Sequence, residues 1–207
     1  MKKLIVGLLA GSAIAFASAA GAADFNYEGP SGVYDWNGFY VGLQTGAGWS
    51  RMRDNGAAAT YGINGFMLGA HAGYNFQSSN FVFGVEGDVN YNWNRTQLVP
   101  GYFGATRWDA SVRARAGYAI DRTLLYVTGG IAFTNLHVDR PVAPTSVDMG
   151  YTGWTLGAGV EHAFTKNLTA RLEYRYTNFG RQTVPAPLVG TVDLHKNQVL
   201  VGVSYKF

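Results

Sequence analysis

The sequence predicts an all-β fold: an eight-stranded up-and-down antiparallel transmembrane β-barrel. Eight segments alternate an apolar parity with one that is polar, small or charged, and no Asp, Glu, Lys or Arg falls on the apolar parity of any of them. A strand facing hydrocarbon demands this, because Arg or Lys at mid-bilayer costs ~2–4 kcal/mol. The connections alternate between short and long, and the aromatic residues collect at both strand ends. A soluble barrel would put bulky residues inside and charges outside; this chain does the reverse.

The closing segment, 197–207, has Val199, Val201, Val203, Tyr205 and Phe207 on one parity and Gln198, Gly202, Ser204 and Lys206 on the other, with Leu200 the exception. Strand one, about 39–50, turns Phe39, Val41, Leu43, Thr45, Ala47 and Trp49 outward, against Tyr40, Gly42, Gln44, Gly46 and Gly48. In strand two, about 64–76, Phe66, Leu68, Ala70, Ala72, Tyr74 and Phe76 face out, while Gly69, His71, Gly73 and Asn75 face in. Strand three, about 81–93, directs Phe83, Val85, Val89, Tyr91 and Trp93 to lipid and Glu86, Asp88, Asn90 and Asn92 inward. Strand four, about 108–120, shows Trp108, Ala110, Val112, Ala114, Ala116 and Tyr118 outside against Asp109, Ser111, Arg113 and Arg115.

Strand five, about 124–134, sets Leu125, Val127, Ile131 and Phe133 against Tyr126, Thr128 and Thr134. Strand six, about 153–164, sets Trp154, Leu156, Ala158, Val160 and Phe164 against Thr155 and Glu161. In strand seven, about 168–177, Ala170, Leu172, Tyr174 and Tyr176 oppose Arg171, Glu173 and Arg175. These lengths suit the ~9–11 residues a tilted strand needs to cross a bilayer. Short turns at 77–80, 121–123 and 165–167 then lie in the periplasm, and the longer loops at 51–63, 94–107, 135–152 and 178–196 face outside. Trp49, Trp93, Trp108, Phe133, Trp154 and Tyr176 mark the outer interface. Phe39, Phe76, Phe83, Tyr118, Phe164 and Phe207 mark the inner one.

Ahead of the barrel, Lys2 and Lys3 precede an apolar run from Leu4 to Ala17 and the small residues Ala20-Gly21-Ala22. A basic region, an apolar region and a small-residue cleavage site make 1–22 a secretory signal peptide, with cleavage after Ala22 or after Ala23; the run is shorter than the ~20 residues of a spanning helix. Residues 23–35 then form a short exposed periplasmic tail, and 36–207 the barrel. The chain has no cysteine, so neither a disulfide nor a lipid-modified cysteine is expected. The formal charge of +3 falls near +1 without Lys2 and Lys3, and with no Lys/Arg-rich run nucleic acid is a poor partner. Twenty-eight glycines with 14% aromatics suit a narrow barrel of crowded interior and aromatic girdles.

The motifs Trp36-Asn37-Gly38-Phe39-Tyr40-Val41-Gly42, Phe83-Gly84-Val85-Glu86-Gly87-Asp88, Val112-Arg113-Ala114-Arg115-Ala116-Gly117-Tyr118, Gly157-Ala158-Gly159-Val160-Glu161 and Glu173-Tyr174-Arg175-Tyr176 carry a family resemblance over about residues 36–207. The chain resembles the small outer-membrane β-barrels of Gram-negative bacteria related to the outer membrane protein A barrel. It is most similar to the alpha-proteobacterial outer-membrane immunogenic or porin-family surface proteins. The resemblance implies the outer membrane of a Gram-negative bacterium as location and its lipid as surroundings. It also implies that the terminal aromatics Tyr205 and Phe207 are the signal read by the β-barrel assembly machinery. The tail carries only Pro30 where relatives are often proline-rich, and since the chain closes on its last strand, no periplasmic peptidoglycan-binding domain is expected.

Chemistry is sparse. Four histidines, His71, His137, His162 and His195, are scattered, so no nucleophile set converges. His162 is the one ionisable outward position, but no serine stands at its level, and an interfacial histidine beside Phe164 explains it. The chain is therefore not expected to be an enzyme, and no metal or cofactor site is expected. Some members of the resembled family are described as haemin-binding. Tyr61, Tyr102, His137, Tyr151 and His195, in or beside the outer loops, are the candidates for a haemin or host ligand. The strongest constellation is the inward charge set Glu86, Asp88, Asp109, Arg113, Arg115, Glu161, Arg171, Glu173 and Arg175. Acids and arginines on different strands can pair across a narrow lumen, giving either a gated path for ions and small solutes or a charge-paired filling. Because side chains nearly fill an eight-stranded barrel, a structural, surface-exposed protein with a filled lumen is favoured.

Overall fold

The structure, a computed structural model, describes residues 33–54, 60–93, 96–99, 102–139, 147–184 and 190–207. Nine strands follow one another: β1 (Gly38–Asp54), β2 (Thr60–Ser78), β3 (Phe81–Trp93), β4 (Thr96–Val99), β5 (Tyr102–Ile120), β6 (Thr123–Asp139), β7 (Val147–Ala163), β8 (Leu168–Val184) and β9 (Gly190–Lys206). Each strand pairs antiparallel with its chain neighbour, with β3 pairing directly to β5 from Phe81↔Tyr118 to Tyr91↔Trp108. The seam joins β1 to β9 from Tyr40↔Lys206 to Asp54↔Val192, and the Phe207 N–H donates to the Phe39 carbonyl at 3.0 Å. Eight strands thus close the barrel. The short β4 folds back on the outer end of β5, as Thr96↔Gly104 and Val99↔Tyr102 show.

Inside and outside follow the alternation. On the outer wall Leu43 is 66% exposed, Val112 63% and Val85 62%, while the inward Gln44, Glu86 and Arg113 are almost wholly buried. Hydrophobic side chains are this exposed only where the surrounding solvent is itself apolar. Rings pack edge-on at both levels, Phe81 on Tyr118 at 5.3 Å near the short turns and Tyr91 on Trp93 at 5.0 Å near the outer end. Inside, two tyrosines explain two of the glycines. Tyr40 pairs with Gly73 and Tyr126 with Gly159, and a Cβ at either glycine would collide with the tyrosine ring and hydroxyl.

The outer strand ends run further than the alternation suggests. Instead of long loops, β1 and β2 stay paired to Arg53↔Thr60, β6 and β7 to Val138↔Val147, and β8 and β9 to Val184↔Gly190. Beyond the bilayer both faces of a ribbon are wet, so the two-sided pattern fades while backbone pairing continues. Register shifts between Thr106 and Asp109 and between Asn178 and Arg181 lie on this outer side; at the second, Gly180 takes a φ of +69° and its N–H bonds Asn178 Oδ1 at 2.7 Å. Such bulges bend and twist a strand where it leaves the regular wall.

A second correction concerns the tail. Within the expected exposed stretch, Val33, Tyr34 and Asp35 are partly buried, and Trp36 behind them is 1% exposed. Trp36 packs with Val82, Ala119, Leu124, Tyr126 and Ala163, the lowest inward side chains of the barrel. Tyr34 donates its N–H to Asp121 O and its hydroxyl to Lys166 O, while Gln77 Oε1 receives the Trp36 N–H at 2.6 Å. Burial first, then Glu161 and Asp35, push the Tyr34 phenol above its ordinary range, so it remains a donor. The strap crosses the short-turn mouth of the barrel and ties all three short turns together. Residues 1–32, which include the expected signal peptide, lie outside the described residues.

Candidate functional site

The barrel wall turns all nine of the inward charged residues into the lumen, where each is buried. Period two along β3, β5, β7 and β8 puts them there: Glu86 and Asp88 rise on β3, and Asp109, Arg113 and Arg115 descend on β5. Glu161 comes from β7, and Arg171, Glu173 and Arg175 from β8. Just above the Trp36 floor, Arg115 pairs with Glu161, whose other oxygen accepts the Thr169 hydroxyl at 2.5 Å. The Arg115 guanidinium lies 3.9 Å from the centre of the Tyr126 ring, close enough for a cation–π contact.

One layer higher the pairs join into a chain across the lumen. Glu86 receives Arg113 on one oxygen, and on the other it receives Arg171 at 2.5 Å and the Tyr40 hydroxyl at 2.8 Å. Gln44 takes the other end of Arg171 at 2.5 Å. Arg113 also reaches Glu173 at 2.6 Å and Asp88 at 3.2 Å, and Arg175 links Glu173 at 2.9 Å to Asp88 at 3.1 Å. Ser111 at 2.5 Å and Asn90 at 2.7 Å complete Asp88, and Tyr126 at 3.0 Å completes Glu173. Unpaired ions in such surroundings would carry a desolvation penalty of several kcal/mol each; here every carboxylate meets at least one cation.

Sequence reasoning missed Lys196, which it left in the last outer loop. Its ammonium pairs with Asp109 and reaches Asn92 Oδ1 at 3.1 Å. Two signals point to it. Lys196 continues the inward parity of Gln198, Leu200 and Gly202, and the nine charges first chosen sum to one negative charge. With Lys196, five cations face five carboxylates among the described buried residues. Between this top layer and Arg175 lies a small pocket of about 10 Å³, room for about one water, lined by Asp109, Thr155, Thr177, Phe179, Lys196 and Gln198 among others. Asp109 Oδ1 and Arg175 Nη2, from two of its walls, have no hydrogen-bond partner among the described residues, so the pocket suits water.

The remaining candidates are dispersed. His71 is buried in the lumen with Nε2 2.8 Å from Ser204 Oγ, opposite Gly42, where a Cβ would strike the ring. His162 is exposed on the outer wall beside Phe164, with Nδ1 3.0 Å from Thr123 Oγ1. Of the haemin candidates, Tyr151 is buried at the outer end of β7, and His195 Nδ1 lies 2.8 Å from the Tyr176 hydroxyl. The side chains of Tyr61, Tyr102 and His137 lie outside the described residues. Among the described residues no group of three His, Asp or Glu side chains could hold a metal. Tyr205 and Phe207 stand exposed at the end of β9, their rings 5.3 Å apart.

Comparison with known proteins agrees with this architecture. The chain is 33% identical over 218 residues to the 25 kDa outer-membrane immunogenic protein of Brucella abortus, covering all of this chain and 99% of that one. It is 39% identical over 147 residues to the 22 kDa outer membrane protein of Rhizobium leguminosarum, covering 70% of this chain and 64% of that one. Neisserial surface protein A has the same fold in its crystal structure, with a TM-score of 0.53 at 22% identity, covering 82% of this chain and 97% of that one. The family model for the outer membrane protein beta-barrel domain matches residues 7–207. The location is thus the outer membrane of a Gram-negative bacterium, and the chain belongs to the outer membrane protein beta-barrel family.

Proposed function

We propose that this protein is a structural, surface-exposed component of the outer membrane whose lumen is a charge-paired plug and not an ion path. The observation that carries this reading is the continuous chain Arg171–Glu86–Arg113–Glu173–Arg175–Asp88, which spans the lumen from β8 to β3 and back. An ion in transit would have to displace partners that neutralise one another at hydrogen-bond distance. Below that layer, the strap and Trp36 cover the periplasmic mouth. The outer ribbons and their tips are what the cell presents to its surroundings, and any host or haemin ligand would engage them.

The route to the membrane forms part of the proposal. Residues 1–22 direct export and are removed, 23–35 stay in the periplasm, and Tyr205 with Phe207 is read by the assembly machinery. Planar-bilayer recording on the refolded mature protein tests the plug. The expected result is a silent or rarely conducting barrel; sustained single-channel currents in the wild-type protein would replace the plug with a pore.

A further inference from the structure

The upper edge of the lipid-facing wall differs between its two halves. On β2 and β3, Phe66 and Trp93 lie 6.1 Å apart and Tyr91 packs on Trp93, an apolar girdle of the ordinary kind. From β2 round through β1, β9 and β8, amides and rings alternate along the hydrogen-bonded ladder. Asn64 of β2 sits opposite Trp49 of β1, Trp49 opposite Asn197 of β9, and Asn197 opposite Tyr176 of β8. Trp154 of β7 then packs on Tyr176 at 5.5 Å. Asn64, Trp49 and Trp154 are exposed, and Asn197 and Tyr176 half-exposed.

Hydrogen bonds beside the row leave the Asn197 amide donors free to point at a ligand. The Tyr174 hydroxyl donates to Asn197 Oδ1 at 2.7 Å, and the Asn197 amide N–H groups have no partner among the described residues. Beside it, Tyr176 engages only Nδ1 of the stacked His195, whose rings lie 5.9 Å apart at 19°. Flat rings that accept the C–H face of a pyranose, spaced by amides that bond its hydroxyls, are the chemistry of sugar recognition. The row carries no formal charge, which argues against a phosphate as its main contact. It is also continuous with the membrane-embedded wall, at the height of the outer-leaflet head groups.

We propose that the row Asn64, Trp49, Asn197, Tyr176 and Trp154 binds the saccharide head group of the outer-leaflet glycolipid, seating it on one side of the barrel. The site is independent of whether the lumen is plugged. The test uses the mature protein in nanodiscs of phosphatidylcholine and phosphatidylglycerol, titrated with rough-type lipopolysaccharide and followed by tryptophan fluorescence. The double variant Asn64→Ala/Asn197→Ala keeps every ring, and its folding is checked by heat-dependent gel mobility. Its lipopolysaccharide binding should fall at least fivefold, while Tyr91→Phe on the opposite half binds as wild type does. If the double variant misfolds, Asn197→Ser alone is read, with a smaller drop expected. Equal binding by wild type and the amide variants, an equal drop with Tyr91→Phe, or no preference of the wild type for lipopolysaccharide over phosphatidylglycerol would each overturn the assignment.

Discussion

Replacing Glu86 with alanine removes three donors' shared acceptor, but it does not strand the two arginines equally. Arg113 keeps Glu173 at 2.6 Å and Asp88 at 3.2 Å, whereas Arg171 keeps only the Gln44 amide oxygen among the described residues. The cost is therefore that of one unneutralised buried guanidinium, ~3–5 kcal/mol. Five cations would then face four carboxylates. In urea, where unfolding free energies fall by about 1–3 kcal/mol per molar, the unfolding midpoint of protein refolded into vesicles should drop by about 1–5 M. Glu86→Gln keeps the volume and one acceptor, so its loss should be about half as large or less. Adding Arg171→Met to Glu86→Gln removes the stranded cation and restores the balance, and a double-mutant cycle should show strong coupling. An unchanged midpoint for Glu86→Ala, together with altered conductance, would refute the plug and show a pore-lining carboxylate.

Lys196→Met strands Asp109 near the outer mouth, where both side chains keep a little exposure; a loss of about 1–3 kcal/mol is expected, recovered when Asp109→Asn is added, as urea midpoints will show. Deleting Phe207 removes one interfacial ring, worth by area only ~1.5–3 kcal/mol. Membrane insertion in cells, measured by fractionation, should nevertheless fall sharply while detergent-refolded stability changes little; normal insertion would sink the assembly-signal reading. For topology, cysteine at Gly150, an exposed position on the outer ribbon with open space around it, should react with an impermeant reagent on intact cells. Cysteine at Ser79, in the first short turn, should not, and labelling at Ser79 alone would invert the orientation.

The transmembrane wall was legible because each of its positions meets one of two opposite solvents, so every side chain reports its side. Val201 and Gly202 declare themselves in a way that Met52 and Arg53 do not, since both faces of the outer ribbon are wet. That is why the alternation stopped near Ser50 while the β1–β2 ladder runs on to Arg53. Lys196 was hidden by the same boundary, although parity and charge balance both point to it. The partners within the lumen were less legible. Arg113 and Glu86 face each other in register, but Glu161 sits opposite Arg171 on the ladder and pairs instead with Arg115. Arginine side chains reach past their nearest neighbours, and pattern alone does not say how far. Trp36 belongs to no periodic run, so its burial depends on a return path of the backbone that only tertiary structure reveals.

The β1–β9 seam joins residues from the two ends of the chain, and this has a kinetic consequence. Until the last strand is made, both β1 and β8 present a free edge, and an unpaired edge is a template for pairing with the wrong chain. Contacts this distant in sequence also form slowly, because the whole intervening length must be brought to order first. The seam is completed at the far end of β9, where the Phe207 N–H closes on the Phe39 carbonyl. Closure therefore waits until β9 has been made. A chain bound for the outer membrane has to stay open and unaggregated until β1 and β9 meet, and the time spent with both edges bare is the time in which it can be lost to aggregation.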